Sequence, residues 1–310
     1  MPLRLPDCGP ISRVGLGTWA TFGDGVDAAT ARAVVSAALD AGITHIDTAP
    51  SYAGGTAEEW LGQFLADRTD IVISTKAYFD VSGNPIGLGR AALLQSVEGS
   101  LKRLRRDCID LLYCHRADPN TPLEETLAAL AELRQQGKIK AWAISRWPAE
   151  LVLQAAALAG TFDLPPPAAA QEPYNRLHPA PAAALKDALR SVPVPIIGYS
   201  VLARGTLTGK YLDTVPAASR AARSLDCPQV WKADEVQADR IRRLLDVANR
   251  AGVSVASLVI ADALRFGPCA AILTAASSPE QVAEIARGMA LAEDDALTGA
   301  VEGIFREPAD

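Results

Sequence analysis

The chain reads as an α/β protein, a single (β/α)8 barrel of the TIM type spanning residues 1–310. Three features point there. Short, β-branched, apolar runs alternate with alanine- and leucine-rich amphipathic stretches, the rhythm of parallel strands and crossover helices. Eight such runs can be placed, which is what a closed parallel barrel needs. The main alternative, an open doubly wound sheet, fits less well, because Gly15-Leu16-Gly17-Thr18-Trp19 lacks the third glycine of a dinucleotide-binding turn.

The elements follow in order. Val14-Gly15-Leu16-Gly17 is the first strand. Asp27 then caps a helix over residues 28–41, and Gly42 ends it by taking the left-handed conformation at no steric cost. Residues 43–46 form the second strand and 57–67 its helix. Residues 71–75 form the third, ending at Lys76, and a loop with Gly83, Pro85, Gly87 and Gly89 leads to a helix near 90–104. Residues 109–113 form the fourth strand, ending at Cys114-His115. Thr121 is placed to cap the next helix, with Pro122 at its first position, Glu124 and Glu125 facing its positive dipole end, and Gly137 as its stop.

Residues 141–144 are the fifth strand, followed by Ser145-Arg146-Trp147 and a helix from Pro148 to near Gly160. Residues 168–171 and 195–199 are the sixth and seventh strands. Residues 203–234 are irregular, and loops of that length in a domain are usually functional or disordered. Helices over 235–251 and 254–266 precede the eighth strand, 270–273, and Pro279 opens a final helix before a short acidic tail from Gly288 to Asp310.

Composition narrows the function. Hydrophobic residues make up 49% and charged residues 21%, as in globular proteins. A net charge of −6 argues against nucleic acid as a partner, since that needs a basic surface. No apolar run approaches the ~20 residues of a membrane span, and the first residues lack the apolar centre of a signal peptide. The five cysteines are scattered, with no metal-ligand spacing, so reduced thiols in a cytoplasm are expected. With three histidines, a histidine-rich metal site is not expected.

The chemistry gathers at strand ends. Barrel active sites lie at the C-terminal ends of the strands. Asp47, Lys76 and His115 end the second, third and fourth strands, and Tyr52 stands on the loop after Asp47. Adjacent strands lie about 4.8 Å apart, so these side chains can converge. Carbonyl reduction wants such a set, because hydride arriving at a carbonyl carbon leaves an alkoxide that needs a proton and nearby positive charge. Tyr52 can donate the proton, Lys76 eases its loss, Asp47 holds Lys76, and His115 orients the substrate oxygen. Each residue alone has a plainer reading: rim packing for Tyr52, a supporting salt bridge for Lys76 and Asp47, a solvated loop residue for His115. Four together at successive strand ends favour the proton relay. His45 is given a structural role. Trp19, Phe22, Tyr78 and Trp147 fit either an apolar pocket wall or core packing.

Asp47-Thr48-Ala49-Pro50-Ser51-Tyr52, followed by Ala57-Glu58 and Leu61-Gly62, resembles the aldo-keto reductase signature. The resemblance runs from about Val14 to Arg287. Three stretches resemble most the voltage-gated potassium channel β-subunit branch and its bacterial relatives: Gly15 to Gly23, Asp118 to Thr126, and Ser145-Arg146-Trp147. The resemblance implies an eight-stranded barrel and a catalytic tetrad of Asp47, Tyr52, Lys76 and His115. It also implies an extended nicotinamide cofactor, NADP(H) in preference to NAD(H). Ser145, Arg146 and Gln171 are then expected at the carboxamide, with Asp47, Thr18 and Trp19 beside the nicotinamide and Tyr199 stacked on it. Ser200, Leu202, Ala203, Arg204 and Lys210 are expected along the pyrophosphate. Arg220, Ser277, Gln281 and Glu284 are expected at the adenosine end, where Ser277 offers donors to a 2′-phosphate.

Gly25, Val201, Ala275 and Ile285 depart from the branch pattern, and His115 stands where the channel subunits carry asparagine. The expected partner is a small-molecule carbonyl compound, an aldehyde or ketone. A nucleotide-linked keto-sugar is an alternative substrate, and a non-catalytic cofactor-sensing subunit is an alternative role. A metal-dependent barrel hydrolase is disfavoured for want of clustered ligands. Oligomeric state is not legible in the sequence.

Overall fold

The computed structural model describes residues 2–217, 219–223 and 233–306. An antiparallel hairpin, β1 (Leu3–Leu5) and β2 (Gly9–Ile11), comes first. Eight parallel strands then close a barrel in chain order: β3 (Val14–Gly17), β4 (His45–Asp47), β5 (Val72–Ala77), β6 (Ile109–Cys114), β7 (Ile139–Ser145), β8 (Ala170–Pro173), β9 (Ile196–Tyr199) and β10 (Ala271–Thr274), with β10 returning to β3. The (β/α)8 expectation holds.

Around the barrel lie α1 (Ala28–Asp40), α2 (Thr56–Leu65), α3 (Arg90–Leu104), α4 (Leu123–Gln135), α5 (Ala149–Ala159) and α6 (Ala180–Ala188). The four-residue α7 (Arg220–Arg223) follows, then α8 (Glu235–Ala251), α9 (Val255–Phe266), α10 (Pro279–Leu291) and α11 (Asp295–Arg306). Among the described residues no single helix is long and apolar enough to cross a membrane.

Strand side chains alternate between two cores because successive residues face opposite sides of a sheet. Leu16, Ile46, Ile73, Leu112, Trp142, Ile144, Ile196 and Ile272 face outward and pack against the helices. Val72, Leu111, Tyr113, Ala143, Ala169, Ile197, Ala271 and Leu273 fill the interior, together with Leu5 and Ile11 of the hairpin. Leu5 and Ile11 are 3% and 0% exposed; burial of that kind stabilises by about 1.5–3 kcal/mol per side chain. The hairpin therefore closes the end of the barrel opposite the strands' C-termini.

Several local expectations need correction. Thr121 does not cap α4. Its hydroxyl donates to Asp118 Oδ2 at 2.6 Å, and Pro122 takes the cap position. The helix opened by Pro279 is not the last, since α11 follows it and buries Thr298, Val301 and Ile304. The hairpin and α6 lie in stretches assigned no element from sequence. Asp27 does cap α1, accepting from Thr30 N–H at 2.8 Å.

Candidate active site

The register sets the site. Gly17 stands level with Asp47, Asp47 with Ser74, Lys76 with Tyr113, and Ser145 with Gln171. Continuing the inward alternation from Leu111 and Tyr113 brings His115 to the inner rim, as continuing from Ala141 and Ala143 brings Ser145. Gly15 has no room for a side chain: a Cβ there would lie 2.6 Å from Leu273 Cδ2 and 2.9 Å from His45 Nδ1. That vacancy lets the imidazole of His45 lie inside the barrel.

Asp47 is the hub. Lys76 Nζ donates to its Oδ1 at 2.5 Å and to the Thr48 carbonyl at 2.8 Å. Ser74 Oγ and Gln171 Nε2 donate to its Oδ2 at 2.8 and 3.0 Å. Since the single hydroxyl proton of Ser74 goes to Asp47, the 2.9 Å contact between His45 Nε2 and Ser74 Oγ requires His45 to be the donor. Burial lowers the His45 pKa to about 4, so its imidazole is neutral. Thr18 holds the hub from behind, its N–H and hydroxyl both reaching the Asp47 carbonyl, at 3.0 and 3.1 Å.

Tyr52 opens a 3₁₀ turn, Tyr52–Gly55, in which Ala53, Gly54 and Gly55 all have positive φ. The turn presses its ring against the relay, with Lys76 Nζ 4.9 Å from the ring centroid. Burial raises the phenol pKa and Lys76 partly offsets it, so the proton stays on at neutral pH. For Lys76, burial is the largest influence and pulls its pKa down; Asp47 and Tyr52 together outweigh it, leaving the ammonium above its ordinary value. His115 meets Tyr52 edge-on at 6.4 Å and Phe79 at 5.2 Å. Burial, with Lys76, Arg116 and Arg146 nearby, drives its pKa down to about 2, so it is a neutral imidazole.

A cleft of about 1020 Å³ opens over these groups. Its lining includes Tyr52 and His115; Ser145, Arg146, Gln171 and Tyr199; Ser200, Leu202, Arg204 and Lys210; and Ser277, Gln281 and Glu284. Trp19 hangs over the opening, 44% exposed, with the Arg204 guanidinium 5.6 Å from its ring.

Other candidates fall elsewhere. Thr18 is fully buried and Ala203 does not line the cleft. Lys76 lies beneath the surface, 1% exposed. The side chain of Arg220 lies outside the described residues. Of the possible wall aromatics only Trp19 lines the cleft: Phe22 and Trp147 are core, and Tyr78 meets Phe79, which does line it, edge-on at 4.8 Å. The donors of Ser277 are already engaged, N–H and hydroxyl both reaching Gln281 Oε1, at 2.8 and 3.2 Å, while Ser278 caps α10. Val201, Ile285, Gly25 and Ala275 all line the cleft.

The wall formed by residues 200–210 suits a phosphorylated ligand. Ser200, Ala203 and Arg204 have positive φ, and Gly205 at φ 99° leaves space that Lys210 fills, 2.8 Å from where a Cβ would stand. Arg204 and Lys210 bring positive charge to this wall of the cleft, which favours anions. Among the described residues no three His, Cys, Asp or Glu side chains are gathered as metal ligands.

Sequence reasoning passed over Ser74, Phe79 and Arg116. Ser74 was recoverable, standing two residues before Lys76 and so on the same inner face. Arg116 carried only its place after His115.

A model described as the aldo/keto reductase family matches residues 13–302. A protein of Oryza sativa subsp. japonica, named "Probable voltage-gated potassium channel subunit beta", is 35% identical over 285 residues, covering 88% of this chain and 86% of that one. Among solved structures, a glycerol dehydrogenase from Gluconobacter oxydans superposes with a TM-score of 0.80 at 28% identity, covering 100% of this chain and 97% of the other.

Proposed function

The chain belongs to the aldo/keto reductase family, and from that premise we propose that it is an NADP(H)-dependent reductase of an aldehyde or ketone, working as one domain over residues 1–310. The reading is carried by one observation: a protonated phenol, Tyr52, faces an open cleft with a buried, charged Lys76 against its ring and Asp47 behind Lys76.

The cofactor, when bound, supplies hydride to the carbonyl carbon. Tyr52 holds the proton that the nascent alkoxide takes. Lys76 stabilises the phenolate left behind, and Asp47 keeps Lys76 charged and in place. His115, neutral, donates a hydrogen bond to the substrate oxygen and orients it. Ser145, Arg146 and Gln171 hold the carboxamide end. Tyr199 offers an aromatic face to the ring, and Arg204 and Lys210 meet the phosphates. With its Nε2 on Asp47, Gln171 has its amide oxygen left to accept from the carboxamide. The proposed setting is cytoplasmic.

NADPH oxidation in the presence of simple aldehydes tests this, with release of the matching alcohol. The name carried by the rice relative favours a second reading, a cofactor-sensing subunit that binds a protein partner. That reading requires NADPH to bind without turnover on any aldehyde or ketone, nucleotide-linked keto-sugars included.

A further inference from the structure

Beside the proton relay the cleft is unusually cationic. Arg116, directly after His115, lines the wall together with Arg146. Arg116 is half-buried, its Nη1 donates to the His115 carbonyl at 2.6 Å, and its guanidinium lies 5.9 Å from the Phe79 ring, the ring that also packs on His115. Phe79 thus aligns His115 and Arg116 side by side. Among the described residues, neither Arg116 nor Arg146 has a carboxylate within 4 Å.

The nearby acids are either committed elsewhere or outside the cleft lining. Asp47 is committed to Lys76, Ser74 and Gln171. Glu172 lies near both arginines and feels their charge, but it does not line the cleft, and burial raises its pKa. Burial, and then Arg146, lower the Arg116 pKa, as expected for a cation drawn partly out of water beside a second cation. A guanidinium with free donors, aimed into a partly desolvated cleft, is suited to grip a carboxylate or phosphate.

We propose that the carbonyl substrate of this site carries an anionic group, a carboxylate or a phosphate close to its carbonyl, which Arg116 binds while Tyr52 and His115 hold the carbonyl oxygen. The inference rests on the reductase reading and narrows its substrate class. Phe79 supplies the apolar wall against which the short chain between the two groups lies. Arg146 adds positive charge that draws the anion inward.

Matched substrates test it with the full chain and NADPH. Succinate semialdehyde is compared with butanal for a carboxylate, and glycolaldehyde phosphate with glycolaldehyde for a phosphate. In at least one pair kcat/KM should favour the anion tenfold or more, mainly through KM, and the preference should shrink with added salt. Arg116→Gln should reduce the charged-to-neutral ratio at least tenfold, and Arg116→Lys should restore part of it. Equal use of charged and neutral members, or equal losses on both in Arg116→Gln, overturns the proposal while leaving the reductase reading intact. If no aldehyde is reduced, the reductase reading fails. The anion site is then read by fluorescence titration of the NADPH-loaded protein with succinate and with inorganic phosphate, where binding that Arg116→Gln leaves unchanged, or no binding, overturns it.

Discussion

Lys76 Nζ and Asp47 Oδ1 form an ion pair at 2.5 Å whose side chains are 1% and 5% exposed. Removing one partner of a buried pair leaves the other uncompensated and costs about 3–5 kcal/mol. Asp47→Asn should therefore lower unfolding free energy at pH 7 by about 3 kcal/mol, measured by urea denaturation. The loss should shrink at high pH as Lys76 sheds its proton. A double variant, Asp47→Asn with Lys76→Met, should be more stable than Asp47→Asn alone.

Tyr52→Phe keeps the ring that packs beside Lys76 and removes only the transferable proton. Turnover should fall by about 10²–10⁴-fold, the usual contribution of a positioned acid, while NADPH affinity measured by fluorescence changes less than threefold. Turnover at the parental rate would remove Tyr52 from the mechanism.

Two buried neutral histidines make the fold acid-sensitive. His45 has its pKa lowered to about 4 and His115 to about 2, each from 6.5. Between pH 4 and 6.5 the unfolded chain binds protons that the folded chain does not, so stability rises with pH there and is lost as pH falls. Each histidine contributes up to about 1.4 kcal/mol per pH unit to that slope. His45→Gln, which keeps a donor for Ser74, should make the slope shallower by about that amount. Denaturant titrations at several pH values across the window read it directly.

Gly62 lets α2 and α3 touch. A Cβ there would run into the Arg103 carbonyl and come within 2.8 Å of the Leu104 backbone carbon. Backbone cannot move aside cheaply, so Gly62→Ala should destabilise by about 1–3 kcal/mol. Cofactor affinity should stay unchanged, because the contact is remote from the cleft. Thermal unfolding and NADPH titration separate the two effects.

Much of the barrel was legible because its strands are short apolar runs between capped helices, and the polar residue ending each run marks the rim. Asp47, Lys76 and His115 stand out that way, and strand register brings them together. What escaped depended on contacts made at long range. Leu3–Leu5 and Gly9–Ile11 alternate too briefly, and with a proline, to read as strands; their apolar residues find partners only inside the closed barrel. The α6 sequence, Ala-Pro-Ala-Ala-Ala-Leu-Lys-Asp-Ala, is nine residues long with a proline in its first turn, so no extended periodic run announces it. The α11 stretch looked like an acidic tail until Val301 and Ile304 met the rest of the core. Thr18 was expected beside the nicotinamide on the family resemblance alone, and its hydroxyl turns back onto the Asp47 carbonyl.

The stopper formed by Leu5 and Ile11 has a consequence for traffic. With the far end of the barrel shut, the access to Tyr52 seen among the described residues is the cleft that Trp19 helps to line. On the proposed reaction two guests share that corridor, and the deeper-seated one is then first in and last out. The rhythm of the whole cycle can then be set at that threshold, by how fast the inner guest is allowed to leave.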